Sequence, residues 1–440
     1  MFQARREAFM SRMDGGVALF FAAPERNRSA DTNYKYRQDS ALHYLTGVPE
    51  PGSVAVLVPG RQGGRFVMFV RPRDPERETW DGRRAGPEGA KALYGADEAY
   101  TLDELPTKLP ELFENTARVY YAQHRNPVAD AQVRDALAAV GTKVRQGVTA
   151  PDTLVDPGTI LNEMRLMKSA EELDLMREAA RISSLAHIAG MQALKPGVGE
   201  HQIEALIEYH FRASGASGPA YNSIVGSGVN ATILHYTENK DICRDGDLLL
   251  VDAGAEFQGY AADITRTYPV SGTFSGPQRD VYDVVLAAQL AAIEEVRQGK
   301  PFTAYHDAAV RVLVQGLVDL KILSGEVDGL VESGAYRPYY MHRTGHWLGL
   351  DVHDAGAYRQ DGDWRKLQPG MVLTVEPGLY FGAGTESAPK AFHGIGVRIE
   401  DDVLVTSGDP EILTALTPKS VADVEATMAR EPVLPLAPIS

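Results

Sequence analysis

The 440-residue chain has a single cysteine, Cys243. An intrachain disulfide is therefore excluded, and any metal must be held by oxygen and imidazole ligands rather than by thiolate clusters. No stretch reaches the ~18 consecutive apolar residues that would span a bilayer, and the start, MFQARREAFMSRM, lacks the apolar core of a leader. These absences predict a cytoplasmic protein with no membrane partner. Positive charge is also short: 44 Lys and Arg stand against 59 Asp and Glu, a net charge of −15, which argues against non-specific binding to nucleic acid. What remains is ordinary for a soluble globular chain, with 44% hydrophobic and 23% charged residues and length enough for two or three domains with a sizeable core.

Residues 1–165 mix short apolar runs, VALFFA, SVAVLV and RFVMFV, with a helical run near 130–140. That pattern predicts a small α/β N-terminal domain. The Pro- and Gly-bearing stretch TAPDTLVDPGT, 149–159, reads as a linker. From 166 to 440 helices alternate with hairpins, so the fold class expected is α+β. Ser169-Ala-Glu-Glu172 is a capping box opening a long helix that Leu-Lys-Pro-Gly at 194–197 closes. A second helix sets Ile203, Leu206, Ile207 and His210 on one face. Ser275-Gly-Pro-Gln278 opens a third, with Val281, Val284, Val285 and Ala288, and Val310, Leu313, Val314 and Leu317 mark a fourth. The tail EPVLPLAPIS is expected to fray or to lie extended on the surface.

The segment LLLVDAGAEFQGYAADITRTYPV, 248–270, reads as two strands about a Gly-containing turn. With EFQG as the turn, Asp252 would sit opposite Asp263. Two carboxylates about 5 Å apart repel by about 3 kcal/mol at an effective dielectric near 20. Either a shared proton or a bound cation must offset this. The segment GDLLLVDAG, 246–254, also recurs as GMVLTVEPG, 370–378: glycine, five residues, an acid, one residue, glycine. Each copy follows a pair of helices, and each leads to a second acid-bearing strand, with Asp263 in the first and Glu400 in the second. Two such units about a pseudo-two-fold axis would bring Asp252, Asp263, Glu376 and Glu400 together. Two divalent cations would cancel their formal charge, and carboxylate-rich two-metal sites are an established catalytic arrangement.

MHRTGHWLGLDVHDAG places His342, His346 and His353 within twelve residues. A zinc-binding helix of the His-Glu-x-x-His type is excluded by Gly345, Gly349 and the missing glutamate, so the stretch reads as strand and loop. Taken with VDAGAEFQGYAADITRTYP, ILHYTENKDICRDGD, LTVEPGLYF and GIGVRIEDD, it resembles the bacterial Xaa-Pro aminopeptidase (aminopeptidase P) family, whose catalytic domain has the pita-bread fold. The resemblance continues into the first domain through RSADTNYKYRQDSALHYLTGVPEPGSVAVL and ETWDGRR, giving a domain of the creatinase and aminopeptidase P N-terminal type, and so covers nearly the whole chain.

The resemblance implies five metal ligands: Asp252, Asp263, His346, Glu376 and Glu400. Asp263 and Glu400 would bridge two ions, Asp252 would chelate one, and His346 with Glu376 would hold the other. Manganese is the expected metal, with cobalt or zinc as alternatives. The implied reaction releases the N-terminal residue from peptides with proline second, by attack of a metal-bridging hydroxide. Glu376 would move the proton, His342 and His353 would bind the substrate carbonyl and the tetrahedral intermediate, and His235 would stand near the leaving group. Arg398 and Tyr380 would support the site. Trp80 resembles a tryptophan that a neighbouring subunit contributes in tetrameric relatives, so a homo-oligomer, dimer or tetramer, is expected.

Two features depart from the pattern: Arg343 stands where many relatives have a small residue, and the loop 357–368 does not align cleanly, with Arg365 in it the candidate for an arginine near the carboxyl side of the substrate. The nearest alternative is an Xaa-Pro dipeptidase (prolidase), which shares fold and ligands. Methionine aminopeptidases lack the large first domain. A non-catalytic pita-bread protein that binds peptides is the alternative of a different class, and such proteins typically lose ligands.

Overall fold

In the computed structural model, which describes residues 1–385 and 387–439, the three apolar runs of the first part are the strands Val17–Phe21, Val54–Leu57 and Phe66–Val70. Almost every residue in them is buried, which is why they read as continuous apolar stretches rather than as alternating ones. They form the centre of a mixed six-stranded sheet in the order Glu98–Thr101, Phe66–Val70, Val54–Leu57, Val17–Phe21, Arg118–Tyr120, Thr153–Val155. The helices Leu105–Phe113 and Pro127–Gly141 pack apolar stripes into the same core, among them Leu109, Phe113, Val133 and Val140. The expected linker is partly wrong: Thr153–Val155 is an edge strand, parallel to Arg118–Tyr120. Pro151 and Pro157 flank it, where a missing N–H breaks no ladder.

Chain contacts separate Met1–Met164 from the unit that runs from Arg165 onward. In the second unit Ser169 caps Ala170–Ala193, accepting from the Glu172 backbone while the Glu172 carboxylate accepts from the Ser169 N–H. The helix Glu200–Ala213 buries Ile203, Leu206, Ile207 and Phe211. His210, expected on that face, is only half-buried, since Phe211 takes the inward position. Gly276–Glu294 and Ala304–Asp319 are the second helix pair, and Val310, Leu313, Val314 and Leu317 are all buried. The tail lies extended, with the Ile439 N–H donating to the Gly197 carbonyl at 2.8 Å. Among the described residues no helix is long and apolar enough to cross a membrane.

Each helix pair feeds a hairpin. Leu248–Asp252 pairs antiparallel with Thr265–Pro269, and Phe257 faces Tyr260 across Gln258 and Gly259. Both turn residues have positive φ, 49° and 90°, the two-residue turn that suits strand twist. The turn is thus tighter than EFQG, and the register shifts by two: Asp252 faces Thr265, not Asp263. Because side chains alternate with period two, a shift of two leaves Asp263 on the same face as Asp252, one step along. In the second copy Val375 faces Asp401, so Glu376 and Glu400 are the next residues outward on the two strands.

Candidate metal centre and active site

The two hairpins deliver their acids to one pocket of about 470 Å³, lined among others by Asp252, Asp263, His346, Glu376 and Glu400. Asp252, Asp263 and Glu400 are only 8%, 5% and 2% exposed. Ligand atoms of Asp263, His346 and Glu400 lie within 4.8 Å of one another. His346 Nε2 is 3.4 Å from Asp263 Oδ2 and 3.8 Å from Glu376 Oε1.

The backbone fixes that imidazole. Thr374 N–H donates to the His346 carbonyl at 2.9 Å, and the Thr374 hydroxyl accepts from His346 N–H at 3.1 Å. This approach requires Gly345, where a Cβ would stand 1.9 Å from the Thr374 carbonyl oxygen. The expected strand is absent: the stretch is loop, touching the sheet through an isolated bridge between Trp347 and Leu373. His346 Nδ1 lies 3.0 Å from the Trp347 carbonyl. Donation there leaves the Nε2 lone pair facing the acids, the tautomer a metal ligand needs.

Four carboxylates converge here, with His346 and Arg398 as the cationic groups set against them. Burial pushes the Glu376 carboxyl up to about 7, reinforced by Asp263 and Asp252 against the pull of His346 and Arg398. Burial and the neighbouring acids drive Glu400 far above the carboxylate range, and burial likewise raises Asp252 against Arg398. Burial would lower His346, but the Asp263 carboxylate outweighs it and carries the ring up to about 9. Desolvation and like charge thus hold these carboxyls toward their protonated forms, and the acids hold the imidazole toward its charged one. The Tyr221 hydroxyl is 2.6 Å from Asp252 Oδ1 and 2.5 Å from Asp263 Oδ1, yet it has one proton and can donate to only one of them. An oxygen-rich donor set with one imidazole, short of positive charge, fits divalent metal ions.

Around the acids runs a second layer. Arg398 Nη2 donates to Asp252 Oδ2 at 2.6 Å, its Nη1 to the Tyr380 hydroxyl at 3.1 Å and its Nε to the Thr265 hydroxyl at 3.1 Å. Thr265 in turn donates to Glu400 Oε2 at 2.5 Å. The Tyr380 hydroxyl reaches His342 Nε2 at 2.8 Å, and His342 Nδ1 lies 2.7 Å from the Arg343 carbonyl. Burial, with Arg398 nearby, lowers His342 to about 3. Both its nitrogens are engaged, so donating to a substrate oxygen would mean giving up one of these contacts. His353 is packed edge-on against His346, ring centroids 4.3 Å apart, and is exposed at the wall of the pocket. Burial and His346 lower its pKa. His235 lines the rim and is exposed. Trp80 is 85% exposed on the short helix Pro75–Asp81 of the first unit. Arg343 lines the pocket, whereas Arg365 is buried and does not.

Sequence reasoning missed Tyr221, which no repeat or motif spacing marks, and Thr265, which the register error hid. It also missed Asp402, whose Oδ2 accepts from the Asp263 N–H at 3.1 Å while Oδ1 has no hydrogen-bond partner among the described residues. Burial and Asp263 hold that carboxyl well above the usual range. The acidic pair after Glu400 in RIEDD was the available signal. Its other member, Asp401, is pulled the opposite way: despite burial, Arg266 and Lys419 lower it to about 2.

The sequence pattern of metallopeptidase family M24 matches residues 174–407, and that of the aminopeptidase P N-terminal domain matches residues 2–120. The chain is 46% identical over 429 residues to the Xaa-Pro aminopeptidase of Escherichia coli K12, covering 97% of each. The structure of Pseudomonas aeruginosa aminopeptidase PepP superposes with a TM-score of 0.96 at 49% identity, covering 97% of both chains. Zinc-substituted E. coli aminopeptidase P in complex with product superposes with a TM-score of 0.94 at 46% identity, again over 97% of both.

Proposed function

The chain belongs to metallopeptidase family M24, and from that premise we propose that it is a metal-dependent exopeptidase that releases the N-terminal residue from peptides with proline in second position. The observation that carries this reading is a floor of buried acids with His346, Nε2 facing inward, at the base of an open pocket. Asp252, Asp263, His346, Glu376 and Glu400 would hold two divalent ions, manganese by the preference of an oxygen-dominated donor set, with cobalt or zinc as substitutes. Such ions supply Lewis acidity and a water-derived nucleophile near neutral pH.

The chain's own groups do the rest. The floor that would hold the ions receives the substrate's free amino group, which selects for an unblocked N-terminus. His353, a neutral imidazole at the wall, donates to charge developing on the scissile carbonyl oxygen. Glu376 carries the proton that the departing proline nitrogen needs. Tyr380 and Arg398 hold His342 and Asp252 in place, and His235 closes the leaving-group side. A bond before proline has no N–H and carries a ring, and Ile224, Leu234 and Val352 offer that ring an apolar wall. Exposed Trp80 supports assembly with further copies as a dimer or tetramer, and a lone reduced cysteine suits the cytoplasm.

The test is a peptide panel on manganese-reconstituted enzyme. Release of the first residue from Xaa-Pro-Yaa is expected at least as efficiently as from Xaa-Pro dipeptides, with near-complete loss when the proline becomes alanine. Activity confined to dipeptides would make the protein a dipeptidase, and equal cleavage of the alanine peptide would remove proline specificity.

A further inference from the structure

Arg343 follows His342 directly and is exposed where it lines the pocket. Its guanidinium stands 5.2 Å from the centroid of the Trp364 ring, and Arg359 lies 4.5 Å from the same ring. Trp364 belongs to the small hairpin Arg359–Gln360 and Asp363–Trp364, part of the loop that departs from the family pattern. An aromatic face positions a guanidinium without neutralising it. Among the described residues the Arg343 side chain makes no ion pair within 4 Å; Asp307, on the helix Ala304–Asp319, feels its field but is not in contact. The rim therefore carries a held, unneutralised cation. A short peptide whose N-terminus lies at the floor presents its carboxylate end on the rim side.

We infer that Arg343 determines specificity by binding a carboxylate on the substrate downstream of proline. The inference rests on the Xaa-Pro exopeptidase reading, which places the substrate's N-terminus at the floor and the remaining chain toward the rim. The carboxylate can be the C-terminus of a short peptide or an acidic side chain further along a longer one. A guanidinium fork suits either, because both offer two coplanar oxygens.

The experiment compares kcat/KM for Ala-Pro-Ala as free acid and as C-terminal amide, and for Ala-Pro-Ala-Asp-amide against Ala-Pro-Ala-Ala-amide. It uses manganese-reconstituted wild type, Arg343→Ala, Arg343→Lys and Arg343→Glu. Wild type is expected to favour at least one carboxylate-bearing member by roughly five- to tenfold, mostly through KM, the size of a partly solvated charge pair, and the preference should shrink with salt. Arg343→Ala should bring that ratio to about one, Arg343→Glu should invert it, and Arg343→Lys should retain part of it with steeper salt dependence. A response in the first pair alone identifies the C-terminus as the source, and in the second alone the side chain. Absence of discrimination by wild type in both pairs overturns the inference, as does discrimination that survives in Arg343→Ala. If wild type cleaves Ala-Ala-Ala-amide as well as Ala-Pro-Ala-amide, the underlying reading fails and the inference falls with it, whereas proline-dependent cleavage with flat ratios sinks the inference alone.

Discussion

Beneath His353 lies a buried charge cluster whose removal has a calculable effect. Asp354 Oδ2 accepts from Lys168 Nζ at 3.0 Å, and both side chains are 1% exposed. Asp354 Oδ1 accepts from Arg165 Nη2 at 2.5 Å, and Arg165 also donates to Asp351 at 2.7 Å. Burial would raise the Asp354 carboxyl, but Lys168 and Arg165 outweigh it and depress it below its ordinary value. Asp354→Asn leaves the Lys168 ammonium desolvated with no counter-charge. Breaking a fully buried pair in this way costs about 3–5 kcal/mol. Unfolding entropy of roughly 2 cal/mol/K per residue, applied to the unit that begins at Arg165, gives about 0.6 kcal/mol/K. The expected fall in Tm is then about 5–9 °C, read by differential scanning calorimetry.

Two controls separate this cause from general damage. Adding Lys168→Met to Asp354→Asn removes the orphaned charge, and should restore more than half of the loss. The second control is pH. A carboxyl whose folded pKa is depressed stabilises fully above its unfolded pKa of ~3.9 and loses that contribution as pH falls through the lower folded value. The Tm gap between wild type and Asp354→Asn should therefore be constant from pH 6 to pH 5 and narrow below about 4. A shift of less than about 1 °C, a double variant no better than the single, or a gap unchanged at pH 3 would refute the reasoning.

Three further outcomes are expected. Adding manganese to metal-free enzyme at pH 7 should release at least about one proton per chain, since His346 at about 9 holds a proton that a cation displaces; calorimetry in buffers of different ionisation enthalpy checks this, and buffer-independent heats would contradict it. His353→Ala should lower kcat by about 10²-fold with metal content unchanged, whereas a purely structural histidine would lower Tm and leave the turnover of folded enzyme near normal. Cys243, fully buried and pushed up to about 12 by that burial, should react with a thiol-specific reagent at pH 8 roughly a thousandfold more slowly in native enzyme than in urea, and rapid native labelling would show the core there to be open.

The elements most legible in the sequence were those whose signals are local. The Ser169/Glu172 and Ser275/Gln278 boxes announce helix starts because both partners lie within one turn. The repeated glycine and acid spacing marked two hairpins that feed one pocket, because each hairpin is itself a local object. The register of the first was less accessible, since it depends on whether Gln258 accepts a positive φ, a property the residue tolerates but does not advertise. The shift by two left the outcome intact, because only an odd slip would have sent Asp263 to the opposite face. The supporting layer was hardest to foresee from spacing alone. Arg398 reaches Asp252 across 146 positions and Tyr221 reaches Asp263 across 42, and at such separations only the assembled fold reveals the pairing.

This division also separates chemistry from selectivity. The acids of the floor sit at or beside the ends of buried, paired strands, and they and His346 are tied by hydrogen bonds that leave them little freedom: Asp252 to Arg398 and Tyr221, Glu400 to Thr265, His346 to Thr374 and Trp347. Any change there disturbs charge balance in a desolvated space, where unpaired groups are most expensive. The rim is built differently. His235, Arg343 and His353 are exposed on loops, and Arg343 is held by stacking rather than by an ion pair. Substitutions on such loops alter what the pocket admits without moving the acids of the floor. Arg343, with the hairpin whose Trp364 it stacks on, belongs to this rim, which is where a difference in substrate preference can arise while the floor stays the same.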